Sequence, residues 1–230
     1  MAGIKQKAGA RRVRAQGRPR GEKNAVGRDG LIAATRDLLK SHRPSELSRT
    51  DIARLAGVDP GLIRYYFGNK DNLLLATTLQ ITAERGRRTA EAMQTATTAK
   101  ERFRAWIKVL VEVMAENPHY SQLLLEQIHY GTSAEARRIR RDLVATTYNE
   151  LHGIVAAGEA NGEFRVVDPN FLHLGLIGMC QFFFSRRPML EELLGYRISA
   201  ENMTSLADAY VDFVADVLIN GLDARAGKAR

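Results

Sequence analysis

The sequence reads as an all-α protein in two parts: a small N-terminal helix-turn-helix unit of three helices and a larger C-terminal helical bundle that dimerises. Three observations carry that reading. Residues 48–70, SRTDIARLAGVDPGLIRYYFGNK, hold two short helical patterns separated by a glycine. From Asp71 to about Asn220, apolar residues recur at helical spacing in one segment after another. The nearest approach to strand alternation, Glu163 to Val167, is too short to build a sheet. A chain of 230 residues that is 45% hydrophobic can form a small domain beside a larger one with a real core.

The first 27 residues are expected to form a disordered basic arm. Residues 1–28 carry nine Lys or Arg and one acid, Glu22, a net charge of +8 that equals the net charge of the whole chain. Gly, Ala, Gln and Pro separate the charges and apolar residues are few, a composition that does not bury a core. Within it, Arg18 and Arg20 flank Pro19 in an element suited to a narrow minor groove. The basic start has no apolar segment after it, so it is not read as a secretory signal. A first helix follows, with Leu31, Ile32, Ala34, Leu38 and Leu39 on its apolar side.

The turn unit can be derived residue by residue. Ser48 is suited to cap the second helix, with Asp51 three positions on. Ile52, Ala53 and Ala56 form its apolar side, and Gly57 supplies the left-handed backbone that ends it. Asp59 can cap the third helix, with Pro60 at its first position. Ile63 and Phe67, four apart, anchor one face and leave Pro60, Gly61, Arg64 and Tyr65 on the other. A short helix held this way can lay its N-terminal half in a major groove.

These residues carry a resemblance. Residues 31–75, and DIARLAGVDPGLIRYYFGNKDNL above all, resemble the DNA-binding domain of the tetracycline-repressor (TetR) family. The resemblance implies residues 28–72 as the DNA-binding domain and 73–230 as an effector-binding and dimerisation domain. It also implies a homodimer on a palindromic operator of double-stranded DNA, acting as a repressor that a small molecule releases. By resemblance, Arg49 and Thr50 reach phosphate or a base edge, Pro60, Gly61, Leu62, Arg64 and Tyr65 line the groove, and Tyr66 and Lys70 contact the backbone. Arg64 can pair with guanine O6 and N7, and Leu62 can touch a thymine methyl. Arg64 and Tyr65 stand where the family usually has Tyr and often His, so the operator sequence is not readable from the family pattern.

Beyond Leu73 the elements follow in order. A helix over about 71–95 links the two parts and is the expected lever between ligand and DNA. Phe103, Trp106, Ile107, Leu110, Val111 and Met114 mark the next stripe. Pro118 separates it from a helix near 119–130, and another over 133–160 stops at Asn161-Gly162. Asp168-Pro169 opens the next helix, Arg187-Pro188 closes it, and Ser199 caps the last, which runs to Asn220-Gly221. Residues 171–184, FLHLGLIGMCQFFF, are apolar nearly all round, so both faces should be buried. That points to dimerisation through about 169–186 and 199–220. An effector pocket is expected among 99–115, 133–160 and 169–184, with Trp106, Met114, Tyr120, His129, Tyr148, His152 and Phe171 as candidate lining groups. Those side chains suit a small, mainly apolar molecule with one or two polar groups.

Several functions are disfavoured. No apolar run approaches 18 residues, so no membrane association is expected. One cysteine, Cys180, fits a reducing cytoplasm, with nucleoid association following from DNA binding. No phosphate loop or nucleophile–His–acid set stands out, so neither enzyme activity nor a cofactor is expected. The lone Glu126/His129 pair does not suffice for a metal. Arg137, Arg138, Arg140 and Arg141 read as a solvated helix face. The alternative is an architectural or constitutive DNA-binding protein without an effector.

Overall fold

The computed structural model describes residues 20–132 and 134–223, with backbone alone for residues 20–26 and Ala200. Among them are ten α-helices and no strand: α1 (Arg20–Leu38), α2 (Arg49–Ala56), α3 (Gly61–Phe67), α4 (Lys70–Thr95), α5 (Ala99–Glu116), α6 (Tyr120–Leu123), α7 (Ala134–Ala160), α8 (Pro169–Ser185), α9 (Arg187–Leu194) and α10 (Ala200–Leu222). A 3-10 turn at Pro44–Glu46 precedes α2, and a π-helical turn at Leu124–His129 continues α6.

The helix starts follow local chemistry. The Ser48 hydroxyl accepts from the Asp51 N–H at 3.0 Å, and Gly57 ends α2 at φ 65°. The Asp59 carboxylate accepts from the Gly61 N–H at 2.7 Å, so α3 begins just after Pro60 rather than on it. A Cβ on Gly61 would come within 2.8 Å of that same carboxylate oxygen, so glycine keeps the cap intact. Asp168 and Ser199 cap α8 and α10 as their positions imply.

Four boundaries differ from expectation. Helix α1 begins at Arg20, so the last part of the span read as arm is helical; the rest of that span lies outside the described residues. The helix near 119–130 is broken into α6 and the π turn. Arg187-Pro188 interrupts the chain only briefly, because a proline in a first helical turn forfeits no hydrogen bond, and α9 follows. Helix α10 runs on to Leu222, where the Arg165 N–H reaches the Leu222 carbonyl at 2.7 Å.

Two apolar cores form. The head core joins Leu31, Ile32 and Leu39 of the first segment with Ile52, Ile63 and Phe67 of the turn unit and Leu73 and Leu74 of α4. Leu123 of α6 completes it and is only 1% exposed, so the head draws on residues far beyond 72. The body core is built round α5, whose Phe103, Trp106, Ile107, Leu110 and Met114 meet Leu151, Leu176, Cys180, Val211 and Val214. Arg36 latches the parts together, reaching Glu84 of α4 at 2.6 Å and the Asn117 side chain at 2.9 Å. That hydrogen bond holds the Glu84 carboxyl below its ordinary value against the opposing effect of burial.

Helix α8 departs most from its sequence reading. Leu176 and Cys180 are buried, but Phe171, Leu174 and Phe182 are exposed on the single chain. Phe213 and Val217 of α10 are exposed too. Burial pushes the Cys180 thiol up to about 12, so it packs as a small hydrophobe rather than a reactive thiolate.

Candidate nucleic-acid interface and ligand cavity

On the head, Ile63 and Phe67 hold α3 from below, and Gly61, Arg64 and Tyr65 face outward with Pro60. Tyr65 is 71% exposed, unusual for so large a ring, and its edge meets Tyr66 at 4.9 Å. Arg49 and Thr50 are exposed at the start of α2. These candidate DNA-facing groups are therefore each exposed, and two of them are arginines, Arg49 and Arg64. Leu62 and Tyr66 are only partly exposed and pack on the head core. The Tyr66 hydroxyl lies 3.4 Å from where a Gly27 Cβ would stand, so α1 crosses closely over α3 at a glycine. Lys70 is half-buried, and its ammonium donates to the carbonyls of Leu47 at 3.0 Å and Pro44 at 3.4 Å, tying the segment before α2 to the start of α4. Arg28 adds a cation over the Phe67 ring at 5.3 Å. Arg18 lies outside the described residues, and of Arg20 only the backbone is described.

In the body, a cavity of about 210 Å³ lies among α4, α5, α6, the π turn, α7 and α8. Its apolar wall includes Leu110, Met114, Leu124, Leu143 and Ile177, and Trp106, Tyr120 and His129 also line it. Four of the seven side chains expected there are thus in the wall. Tyr148 and His152 are not: they stack on each other at 5.4 Å, and Tyr148 meets His173 at 6.4 Å. Phe171 is 76% exposed and also outside the wall, because the first turn of α8 extends past the cavity.

Sequence reasoning missed Arg85 and His173, both in the wall. Arg85 is buried and pairs with Glu150 at 3.2 Å, and the Trp106 indole N–H donates to the same carboxylate at 3.2 Å. The Tyr120 hydroxyl is hydrogen-bonded to Thr82 at 2.9 Å. The Arg85 charge in the wall is therefore matched within the protein. Both wall histidines are held below the ordinary value, His173 by burial and then by the Arg85 charge, His129 by burial and then by Arg140. A buried arginine on α4 facing a bundle is hard to read from sequence, since its apolar stem obeys no charge pattern. A wider cleft of about 450 Å³ lies between α5 and α10, but Arg88 there is already held by Glu112 at 2.6 Å and Glu116 at 2.9 Å.

Two family models match this chain: bacterial regulatory proteins of the tetR family over residues 31–77, and the tetracyclin repressor-like C-terminal domain over residues 100–214, half of the chain. The chain belongs to the TetR family. TetR-family regulators bind DNA and dimerise, and this chain is a transcriptional regulator of that kind. It is 25% identical over 173 residues to the HTH-type transcriptional repressor NicS of Pseudomonas putida, covering 74% of this chain and 80% of that one. It is 27% identical over 191 residues to the HTH-type transcriptional regulator BetI of Rhizobium meliloti, covering 81% and 88%. Among solved TetR-fold structures, a TetR/AcrR regulator from Thermobifida fusca matches with TM-score 0.64 and 24% identity over 84% of this chain and 97% of that one. FadR from Bacillus subtilis, solved in complex with stearoyl-CoA, matches with TM-score 0.61 and 19% identity over 81% and 97%. At those identities the two structures speak to the fold alone.

Proposed function

We propose that this TetR-family regulator is a repressor that binds a palindromic operator as a homodimer and is released when a small, mainly apolar molecule enters the body cavity. One observation carries the reading: α6 and the π turn belong to both parts. Leu123 is buried in the head core, whereas Ser121, Leu124 and Leu125 line the cavity. A molecule that moves this short segment cannot leave the head untouched. A π turn is rare and frequently marks a functional site. The expected lever, α4, is the second connection, through Arg36–Glu84 and Tyr120–Thr82.

The exposed apolar groups of α8 and α10 are the natural dimer surface, and two-fold pairing there would set two α3 helices on successive major grooves about 34 Å apart. Release then requires the ligand to prefer a conformer whose α3 spacing no longer fits. FadR of Bacillus subtilis holds stearoyl-CoA, so this fold accommodates effectors with long apolar chains. The test is to select operator DNA from a random pool with the full chain, then measure its affinity with and without a cavity ligand. Operator affinity should fall when the ligand binds. Ligand binding that is identical with and without operator would rule out the coupling.

A further inference from the structure

We propose that the effector is an uncharged molecule, with its apolar body in the cavity and one oxygen that accepts a hydrogen bond from the His173 ring. This rests on the cavity being the effector site, and it adds the charge of the ligand and its polar anchor. Helix α8 sets His173, Ile177 and Gln181 one and two turns apart on one face, and all three are in the wall. The ligand would lie along α8, its oxygen at His173 and its apolar body over Ile177.

His173 is an unspent polar group. Its Nδ1 is sealed from solvent and has no hydrogen-bond partner. A buried lone pair without a partner is better tolerated than a buried N–H without one, so the proton belongs on Nε2. Nε2 makes no hydrogen bond among the described residues either, and unlike Nδ1 it is not sealed. By contrast, the Trp106 N–H is engaged by Glu150, the Tyr120 hydroxyl by Thr82 and the Thr147 hydroxyl by the Leu143 carbonyl.

The wall has no free charge to offer. No Asp or Glu lines the cavity, and Arg85 is the one Lys or Arg in its wall among the described residues. Arg85 is 4% exposed and gives two guanidinium nitrogens to a single Glu150 oxygen, both at 3.2 Å. An anion would have to displace that covalently held carboxylate. A cation would meet the Arg85 charge with no counter-charge of its own. Burial, and then Arg85, hold His173 below its ordinary value, so the ring is neutral near pH 7. Desolvating an ion here costs more than these neutral groups return, whereas a hydroxyl or carbonyl needs one hydrogen bond.

The size of the apolar body follows from the volume. A dry cavity of about 150 Å³ holds benzene. The 210 Å³ here suits a substituted ring.

The chain's single tryptophan, Trp106, lines the cavity, so its fluorescence reports occupancy, with titration calorimetry as a second reading. Cumene, 1-phenylethanol, acetophenone, 1-phenylethylammonium and benzoate share one phenyl body and differ in polarity and charge. Titrated into the full chain, the alcohol or the ketone should bind at least about tenfold more tightly than either ion. The tighter of those two tells a hydroxyl from a carbonyl. In His173→Phe its affinity relative to cumene should fall about threefold to tenfold, the scale of one neutral hydrogen bond. His173→Gln, whose amide can still donate, should restore part of that ratio. Where His173→Phe no longer binds cumene, the same ratio is read in His173→Leu. An ion that binds as tightly as the alcohol and the ketone, or a ratio to cumene unchanged by the loss of His173, would overturn the proposal. Operator release by such an ion would sink this proposal and leave the cavity as effector site intact. Silence toward all five, by fluorescence and by heat, would overturn both.

Discussion

Arg64 and Gly158 show how a single residue's role depends on what stands opposite it. Arg64 is exposed on α3, with Ile63 and Phe67 fixing the helix beneath it. Replacing it with alanine should cost about 1–3 kcal/mol on the selected operator and relax one base position. Equal losses on selected and random DNA, in competition binding, would contradict base reading. Gly158 lies within α7, where alanine usually gains up to about 1 kcal/mol over glycine. Here a Cβ would run into the buried Phe164 ring, which itself packs edge-on against Phe103 at 6.0 Å. Overpacking of that kind costs about 1–3 kcal/mol, so it outweighs the propensity gain. Gly158→Ala should therefore lower Tm by a few degrees, and a raised Tm in a thermal melt would show that the ring yields freely.

At the scale of the element, α5 and α6 carry the most consequence. Helix α5 opens with a capping box that sequence reading passed over, although Thr98 and Glu101 have its S/T-x-x-E spacing. The Thr98 N–H, then the Thr97 hydroxyl and N–H, hold the Glu101 carboxylate down to about 2 from 4.5. The folded value is depressed, so this contribution is complete above pH 4.5 and fades as pH falls toward 2. Glu101→Gln should weaken the fold at neutral pH and show a smaller loss between those two pH values than the parent chain, in urea unfolding followed by circular dichroism. Identical acid profiles would remove the cap from the account. For α6, Leu123→Ala should cost about 2–5 kcal/mol, because it empties a fully buried site in the head core. It should also uncouple the parts: ligand would still occupy the cavity, by Trp106 fluorescence, while operator affinity responds less. Full retention of the response would move the coupling to α4 alone.

For the whole molecule, the exposed aromatic groups of α8 and α10 are the proposed assembly surface. Phe182 and Phe213 are more than half exposed on one chain, a poor arrangement for a monomer and a natural one for a helical interface. Phe213→Asp should yield a monomer by light scattering at micromolar concentration, with operator binding weakened because only one α3 can engage. A dimer of unchanged stability would shift the interface elsewhere.

How far sequence alone reached can be seen in particular residues. The caps Ser48, Asp59, Asp168 and Ser199, the glycine turn at Gly57 and the stripe on α5 were readable because each depends on neighbours within a turn or two of helix. The head's outward residues were readable for the same reason. What required tertiary structure were pairings between distant segments: Leu123 filling the head core, Arg85 meeting Glu150, Lys70 turned to the Leu47 carbonyl, and His173 rather than Tyr148 or His152 in the cavity wall. Helical periodicity tells which side of a helix is apolar, but not which of several apolar neighbours it meets or where the packing leaves a void. Local hydrogen bonding and spacing therefore determined the all-α chain, its turn unit and its family from sequence, whereas long-range packing alone decided the shared α6 element and the cavity.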